Sequence, residues 1–436
     1  MRIKTTECRH YVSQTVMLQG RIHALRQMGQ VTFLIIRDGW GTAQAVFEGS
    51  NSPIVQLAPE SIIDLCGVPV EMAQAPGGVE IQQPAVKVLV PITKELPVPL
   101  HKKEIKAGLP TLLEEAVLLN RHPQRRAIFR LAAGVMAGFR HYLNAQDFTE
   151  VQTPKLVESA TESGSTVFEL NYFGRSAYLA QSPQFYKQIM VGIFDQVYEV
   201  GPVFRAEPHN TSRHINEYVS LDVEFGYIEN HFTVMRLVTQ LLQELFAYLA
   251  AKYQAELEQL KVSMPQYGNP EVNEGRFPHI HFAESLELIW RETGRDVRQE
   301  PDLSPEDERW LGAWALERYG SDFLFVTGYP MEKRPFYTHP DPKQPAYSNS
   351  FDLLFRGTEL ITGGQRLHLY TDYLAALAAA GLSTEPFRHY LQAFEYGMPP
   401  HGGFAIGLER LIKQLVKLPN VKLATLFPRD MSRLSP

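Results

Sequence analysis

Near its C-terminus the chain reads Tyr396-Gly397-Met398-Pro399-Pro400-His401-Gly402-Gly403-Phe404-Ala405-Ile406-Gly407-Leu408-Glu409-Arg410, a glycine-rich strand running into a helix that carries an arginine at its start. Upstream, Phe204-Arg205-Ala206-Glu207 leads through a polar loop to Arg213-His214 and then to Leu221-Asp222-Val223-Glu224. Glycines let a ligand approach the backbone, and arginine forks match phosphate oxygens. Two arginines on separate elements, each beside a carboxylate and near glycines, are what a site for a bent polyphosphate needs, and they point to ATP. The glycine string alone carries less, because such strand ends also occur at bulges and tight helix–strand contacts with no ligand.

With 436 residues, 44% hydrophobic and 21% charged, the chain can bury a large core divided over two or three domains. Cys8 and Cys66 lie far apart and fit no CxxC or Cys/His ligand spacing, so both read as reduced thiols of a cytoplasmic protein. The first residues lack an apolar signal-like stretch, and no run reaches the roughly 18 apolar residues of a membrane span, so neither secretion nor a membrane association is expected. A net charge of -6 argues against indiscriminate nucleic-acid binding. It permits a local basic face on an otherwise acidic protein.

Short apolar or alternating runs separated by Gly, Asn and Pro turns fill the region from Thr15 to about Leu89: Val16–Leu18, Val31–Ile36, Ala43–Phe47, Val68–Met72 and Val79–Ile81. These predict a small Greek-key barrel of the OB type, a fold whose open face binds oligonucleotides. The stretch from Pro97 to Pro123, rich in Pro, Lys and Leu, reads as a hinge. Beyond it, helices and strands mix without a βαβ rhythm, which predicts a mostly antiparallel sheet flanked by helices, an α+β fold. The expected division is therefore 1–96 barrel, 97–123 hinge and 124–436 catalytic domain.

The two arginine segments, in this order, resemble motifs 2 and 3 of the class II aminoacyl-tRNA synthetases. A motif 1 candidate is the helix expected from Gln124 to about Asn144 followed by Phe148-Thr149-Glu150-Val151-Gln152-Thr153-Pro154. The resemblance runs from about Gly20 to Pro436. Within the class, Ala180-Gln181-Ser182-Pro183-Gln184-Phe185-Tyr186-Lys187-Gln188 is similar to the signature of aspartyl-tRNA synthetases. It implies that Gln184 and Lys187 contact the substrate aspartate, with Lys187 facing the side-chain carboxylate. Arg366, in Gly363-Gly364-Gln365-Arg366, matches the arginine that makes a forked contact to the same group. Alone, either cation reads as a solvated surface charge. Two cations on one buried carboxylate would favour aspartate over its isosteric amide.

The same resemblance implies roles for other residues. Glu162 matches an acidic residue of a loop that closes over the substrate ammonium, although alone it reads as a surface glutamate. Asp352 and Glu359 match carboxylates that hold Mg2+ against the ATP phosphates, and hard oxygen ligands suit that ion. Arg205 would hold the α-phosphate, Arg410 the γ-phosphate, and Glu207 and His214 would lie over ATP and the tRNA end. On the barrel, Phe33 reads from its residues alone as core; the resemblance makes Phe33 and Gln44 contacts to an anticodon base.

Arg21, Ser163, Pro208 and Ile361 depart from the family pattern. His23 and Pro76 resemble the pair of non-discriminating members of the compact archaeal-type subgroup, which charge tRNA(Asn) as well as tRNA(Asp) with L-aspartate for later amidation by a tRNA-dependent amidotransferase. Motif 1 implies a homodimer. Three alternatives stay open on sequence: an asparaginyl-tRNA synthetase, a tRNA-independent asparagine-forming ligase on the same fold, and a non-catalytic RNA-binding paralogue.

Overall fold

The computed structural model describes residues 1–49, 53–158, 167–208, 210–269 and 274–436. These divide into two compact units, Met1–Leu109 and Pro110–Pro436.

In the first unit, β1 (Val16–Met28), β2 (Val31–Arg37), β3 (Thr42–Glu48), β4 (Ile62–Glu71) and β5 (Val79–Val90) close into a barrel in the order β1-β2-β3-β5-β4. Inward residues alternate along each strand: Val16, Leu18 and Ile22, then Leu34 and Ile36, Ala43 and Ala45, Ile63 and Leu65, Val79 and Ile81 form its core. Strands β1 and β4 run longer than the apolar runs suggest. Their outward faces carry Gln19, Arg21, His23 and Asp64, which mask the period in sequence while leaving every second side chain in the core. The β1–β2 register shifts between Ile22 and Ala24, which makes His23 the extra residue of a β-bulge.

The second unit begins inside the segment expected as a hinge. α1 (Leu109–Glu114) and α2 (Ala116–Leu119) are helical because Leu113, Ala116 and Leu119 find buried positions. α3 (Pro123–Ala145) follows, its N-terminus set by Pro123 and by His122, whose ring Nδ1 accepts the Gln124 amide at 3.2 Å. Next come β6 (Thr149–Glu150), a small sheet of β7 (Leu156–Val157), β8 (Glu169–Tyr172) and β9 (Arg175–Leu179), then α4 (Gln184–Phe194), β10 (Gln196–Phe204), β11 (Glu217–Gly226), α5 (His231–Lys252) and α6 (Gln254–Gln259). The remainder is β12 (His279–His281), α7 (Phe282–Thr293), α8 (Pro305–Tyr319), β13 (Phe323–Thr327), β14 (Ser350–Phe355), β15 (Glu359–Gln365), α9 (Tyr370–Ala379), α10 (Arg388–Glu395), β16 (His401–Gly407) and α11 (Leu408–Val416).

Among the described residues the main sheet is eight-stranded, in the order β12-β13-β14-β15-β16-β11-β10-β6. Only β12–β13 and β6–β10 pair in parallel, so the sheet is mostly antiparallel, as expected. One face packs on α3, α5 and α11, where Leu131, Phe139, Val238, Phe246 and Leu411 meet Leu221, Val223, Phe404 and Ile406 of the central strands. Gly138 makes the α3–α5 approach this close, since a Cβ there would lie 2.7 Å from Leu245. The alternate residues of β11 and β16 point to the opposite face. Ile361 belongs to the packed face and is fully buried in the core. Its neighbour Thr362, one register step on, faces the other way and lines the cavity.

Candidate active site

On the face opposite that core lies a cavity of about 380 Å³. Its floor is Ser220, Asp222, Ala405 and Gly407, the strand residues that alternate with core positions. α4 supplies Gln184 and Lys187, the β10–β11 hairpin supplies Arg205, Glu207, Arg213 and His214, and β15 with α11 supplies Glu359, Arg366 and Arg410. Residues separated by more than 200 positions in sequence thus share one wall.

At one end the charges are buried. Lys187, 2% exposed, places its Nζ 3.1 Å from Asp222 Oδ1 and 3.2 Å from Glu224 Oε2, and donates to the carbonyls of Val223 and Phe404. Arg366 donates its Nε to Glu224 Oε1 at 2.9 Å and its Nη2 to the Gly403 carbonyl at 3.1 Å. Gln184 completes the cluster, its Nε2 lying 3.4 Å from Glu224 Oε2. Burial opposes ionisation of Glu224, but Arg366 and Lys187 together hold its carboxyl below the ordinary range. Glu224 fits there because position 403 is glycine: a Cβ would stand 2.1 Å from the Val223 carbonyl and 2.2 Å from Glu224 Oε2. Asp222 Oδ2 is buried and makes no hydrogen bond among the described residues.

Behind this cluster sits a second buried layer. Gln188 donates its Nε2 to His401 Nε2 at 2.9 Å and accepts from the Tyr390 hydroxyl at 2.8 Å, while Tyr373 donates to the Leu367 carbonyl. Since His401 Nε2 accepts, Nδ1 carries the proton and donates to the Pro399 carbonyl at 2.9 Å. Burial lowers the His401 imidazole to about 4, so the ring is neutral.

The other end is more open. The side chains of Arg205 and Arg410 are each 34% exposed. Arg410 donates its Nη1 to the backbone carbonyl of Glu359 and to its Oε1, at 2.9 and 3.0 Å, and the Thr362 hydroxyl donates to the same oxygen. Against the opposition of burial, Arg410 and Arg334 hold the Glu359 carboxyl below its ordinary value. Arg205 lies over the Tyr218 ring and 4.0 Å from Glu207 Oε1, and His214 Nε2 is 3.5 Å from Glu207 Oε2. Arg213 pairs with Glu308 at 2.9 Å. Glu409 reaches back from the first turn of α11 so that both its oxygens accept the Val219 amide, each at 3.2 Å; burial raises its carboxyl to about 7.

Asp352 on β14 lies one strand over from Glu359 and pairs with Arg334, whose Nη2 is 3.1 Å from Oδ2. Burial pushes its carboxyl up against the pull of Arg334, and Glu359 adds to the rise. Among the described residues no group of three or more His, Cys, Asp or Glu side chains is placed to hold a metal ion. The pair nonetheless fits a Mg2+ that takes its other ligands from phosphate and water: both are hard oxygen donors, and Asp352 Oδ1 is buried without a hydrogen bond among the described residues.

Of the residues singled out from sequence, Gln184, Lys187, Arg205, Glu207, His214, Glu359, Arg366 and Arg410 share the cavity wall. Asp352 stands behind Arg334 rather than on the wall, and Glu162 and Ser163 lie outside the described residues. On the barrel, Phe33 faces outward and half-buried, opposite Val46, with Gln44 diagonal to it opposite Ile35; Gln44 donates to Glu80 Oε2 at 3.0 Å. Arg37 donates to Nδ1 of His23 at 2.8 Å, Arg21 lies beside Glu60, and Pro76 is exposed in a short turn.

The sequence reading gave no role to Asp222, Glu224, His401 or Arg334. For the first two a signal existed: acids at alternate positions of an otherwise apolar strand mark a charged face. For Arg334 none existed, because it lies in the excursion between β13 and β14.

Residues 109–431 match the family of class II tRNA synthetases (D, K and N), and residues 16–89 match the OB-fold nucleic acid binding domain. The chain is 46% identical to an aspartate–tRNA(Asp/Asn) ligase of Thermus thermophilus over 100% of both chains. It is 36% identical to an aspartate–tRNA(Asp) ligase of Pyrococcus horikoshii, covering 97% of this chain and 96% of that one. The asparaginyl-tRNA synthetase of Pyrococcus horikoshii complexed with asparaginyl-adenylate superposes with a TM-score of 0.91 at 29% identity, covering 100% of both. Barrel, antiparallel sheet, paired arginines and these matches together place the chain in the class II aminoacyl-tRNA synthetase family of the D, K and N enzymes.

Proposed function

We propose that the chain activates L-aspartate with ATP and transfers it to the 3′ end of tRNA(Asp), and also of tRNA(Asn). The observation that carries aspartate is the pair of buried cations. Arg366 uses Nε and Nη2 on protein groups and binds nothing through Nη1 among the described residues. Lys187 lines the same wall, so a carboxylate entering there meets two positive charges already held in place. The unpartnered Oδ2 of Asp222 is a ready acceptor for the substrate ammonium. Relatives named aspartate–tRNA ligases over full length support the same choice.

The reaction needs no protein nucleophile. The α-carboxylate of aspartate attacks the α-phosphorus of ATP, the bond to the leaving pyrophosphate breaks, and the tRNA 3′-terminal hydroxyl then takes the aspartyl group from the adenylate. Arg205 neutralises charge developing at the α-phosphate, Arg410 binds the γ-phosphate, and Glu207 and His214 lie along the nucleotide and the tRNA end. Asp352 and Glu359 would hold Mg2+, which when bound neutralises and orients the phosphates.

Residues 1–96 serve as the anticodon-binding domain. Phe33 offers an outward aromatic face and Gln44 an amide beside it, which suits stacking and edge recognition of one base. The likeness of His23 and Pro76 to the pair of non-discriminating members, and the aspartate–tRNA(Asp/Asn) ligase relative, support the relaxed tRNA choice, which would require an amidotransferase partner in the cell. A cytoplasmic homodimer built through α3 and the β6 edge completes the reading.

Charging of tRNA(Asp) and tRNA(Asn) transcripts, with aspartate and with asparagine, tests it. Aspartate on both transcripts is expected. Aspartate on tRNA(Asp) alone removes the relaxed reading, asparagine charging favours the asparaginyl alternative, and no charging favours a non-catalytic paralogue.

A further inference from the structure

Arg334 has no place in the reading so far, yet it holds the one position between the cavity and Asp352. It lines the wall while Asp352 does not, and its Nη2 is 3.1 Å from Asp352 Oδ2. Its guanidinium stacks 4.1 Å from the Tyr329 ring centre, and its Nε is buried without a hydrogen bond among the described residues. The loop carrying it is fixed by single bridges, Pro330 with Tyr347, Pro340 with Ser348 and Thr338 with Arg366.

We propose that Arg334 is a built-in counter-ion that neutralises Asp352 from its Oδ2 side and holds off a divalent cation until the nucleotide phosphates draw it away, so that cation and ATP enter together. This rests on the reading of Asp352 and Glu359 as cation ligands. The charges explain the device. Asp352 and Glu359 are balanced by Arg334 and Arg410, at 3.1 and 3.0 Å, so a lone divalent ion approaching the open Oδ1 of Asp352 meets a neutralised, partly buried pair and is repelled by the guanidinium on Oδ2. ATP changes the balance, because its phosphates offer Arg334 stronger, forked acceptors and release Asp352 for the ion. By reciprocity, the cation then tightens ATP as much as ATP tightens the cation. Arg334 thus touches the phosphates once ATP is bound, and its part is to time the cation's entry rather than to make or break a bond.

The test is Mn2+ binding to the full-length protein, followed by the spin-resonance signal of the free ion, with and without the α,β-methylene analogue of ATP. Arg334→Met is expected to bind Mn2+ about tenfold more tightly than wild type without nucleotide, and to lose most of the tightening that the analogue confers. Arg334→Lys, which keeps the charge, is expected to retain that tightening. Unchanged thermal melting of the variants shows that the fold survives. If Arg334→Met binds Mn2+ as the wild type does in both states, while Asp352→Asn loses it, Asp352 is a ligand and the counter-ion role of Arg334 is overturned. If Asp352→Asn also binds as wild type, the cation site lies elsewhere, and the underlying reading falls with the inference.

Discussion

The two ends of the cavity solve the same problem, binding a charged substrate, in different ways. At the amino-acid end, Lys187 and Glu224 are 2% and 0% exposed and every charge is matched before a ligand arrives. Behind them Gln188, His401, Tyr373 and Tyr390 are bonded to one another in a second buried layer. At the nucleotide end, Arg205 and Arg410 stand one-third exposed on a hairpin and at a helix start. On the proposed function, selection between near-isosteric amino acids would use the desolvated frame, whereas ATP would bring enough charge of its own to engage the more exposed arginines, so that specificity would rest at the dry end and rate at the wet end.

That contrast breaks most readily at Lys187. Lys187→Met leaves Asp222 and Glu224 buried beside one cation, so aspartate-dependent pyrophosphate exchange should vanish and stability should fall by about 3–5 kcal/mol, read by denaturant unfolding. Retained stability would mean that the dry end is softer than its packing implies. Arg205→Gln should do the opposite, lowering kcat for exchange by about 10²–10³-fold with little change in melting temperature. A large loss of stability there would erase the distinction between the ends.

The pH dependence of unfolding sharpens it. His401 is held at about 4 against an ordinary 6.5, so its unfolded form takes up a proton first, and stability is full above 6.5 and lost as pH falls towards 4. Glu409 is raised from 4.5 to about 7, so its unfolded form ionises first, and stability falls as pH rises from 4.5 to 7. His401→Gln should flatten the acid limb and Glu409→Gln the neutral limb, each by roughly 3 kcal/mol across its window. The smallest effect is expected on the barrel: Phe33→Ala should weaken tRNA binding about tenfold while leaving tRNA-free exchange unchanged.

What sequence revealed and what it hid follows from where each interaction is written. The strand into α11 was legible from its glycine string, and the start of α3 from Pro123, which presets the first helical turn. The barrel strands were legible where both faces are apolar and shortened where Arg21 and His23 interrupt the run. The partners of Lys187 and Arg366 were not legible as partners. Asp222 and Glu224 lie on another strand, and only the β11–β16 register against α4 brings them within bonding distance. Arg334 was hidden for a related reason: its meaning comes from Asp352, across the β13–β14 excursion.

Gly403 sets a boundary on how this chain can change over generations. Its backbone stands where any side chain would evict Glu224 from between Lys187 and Arg366. A lineage drifting towards a different amino acid therefore cannot take its first step at that position, whatever it later changes at Gln184, Lys187 or Asp222.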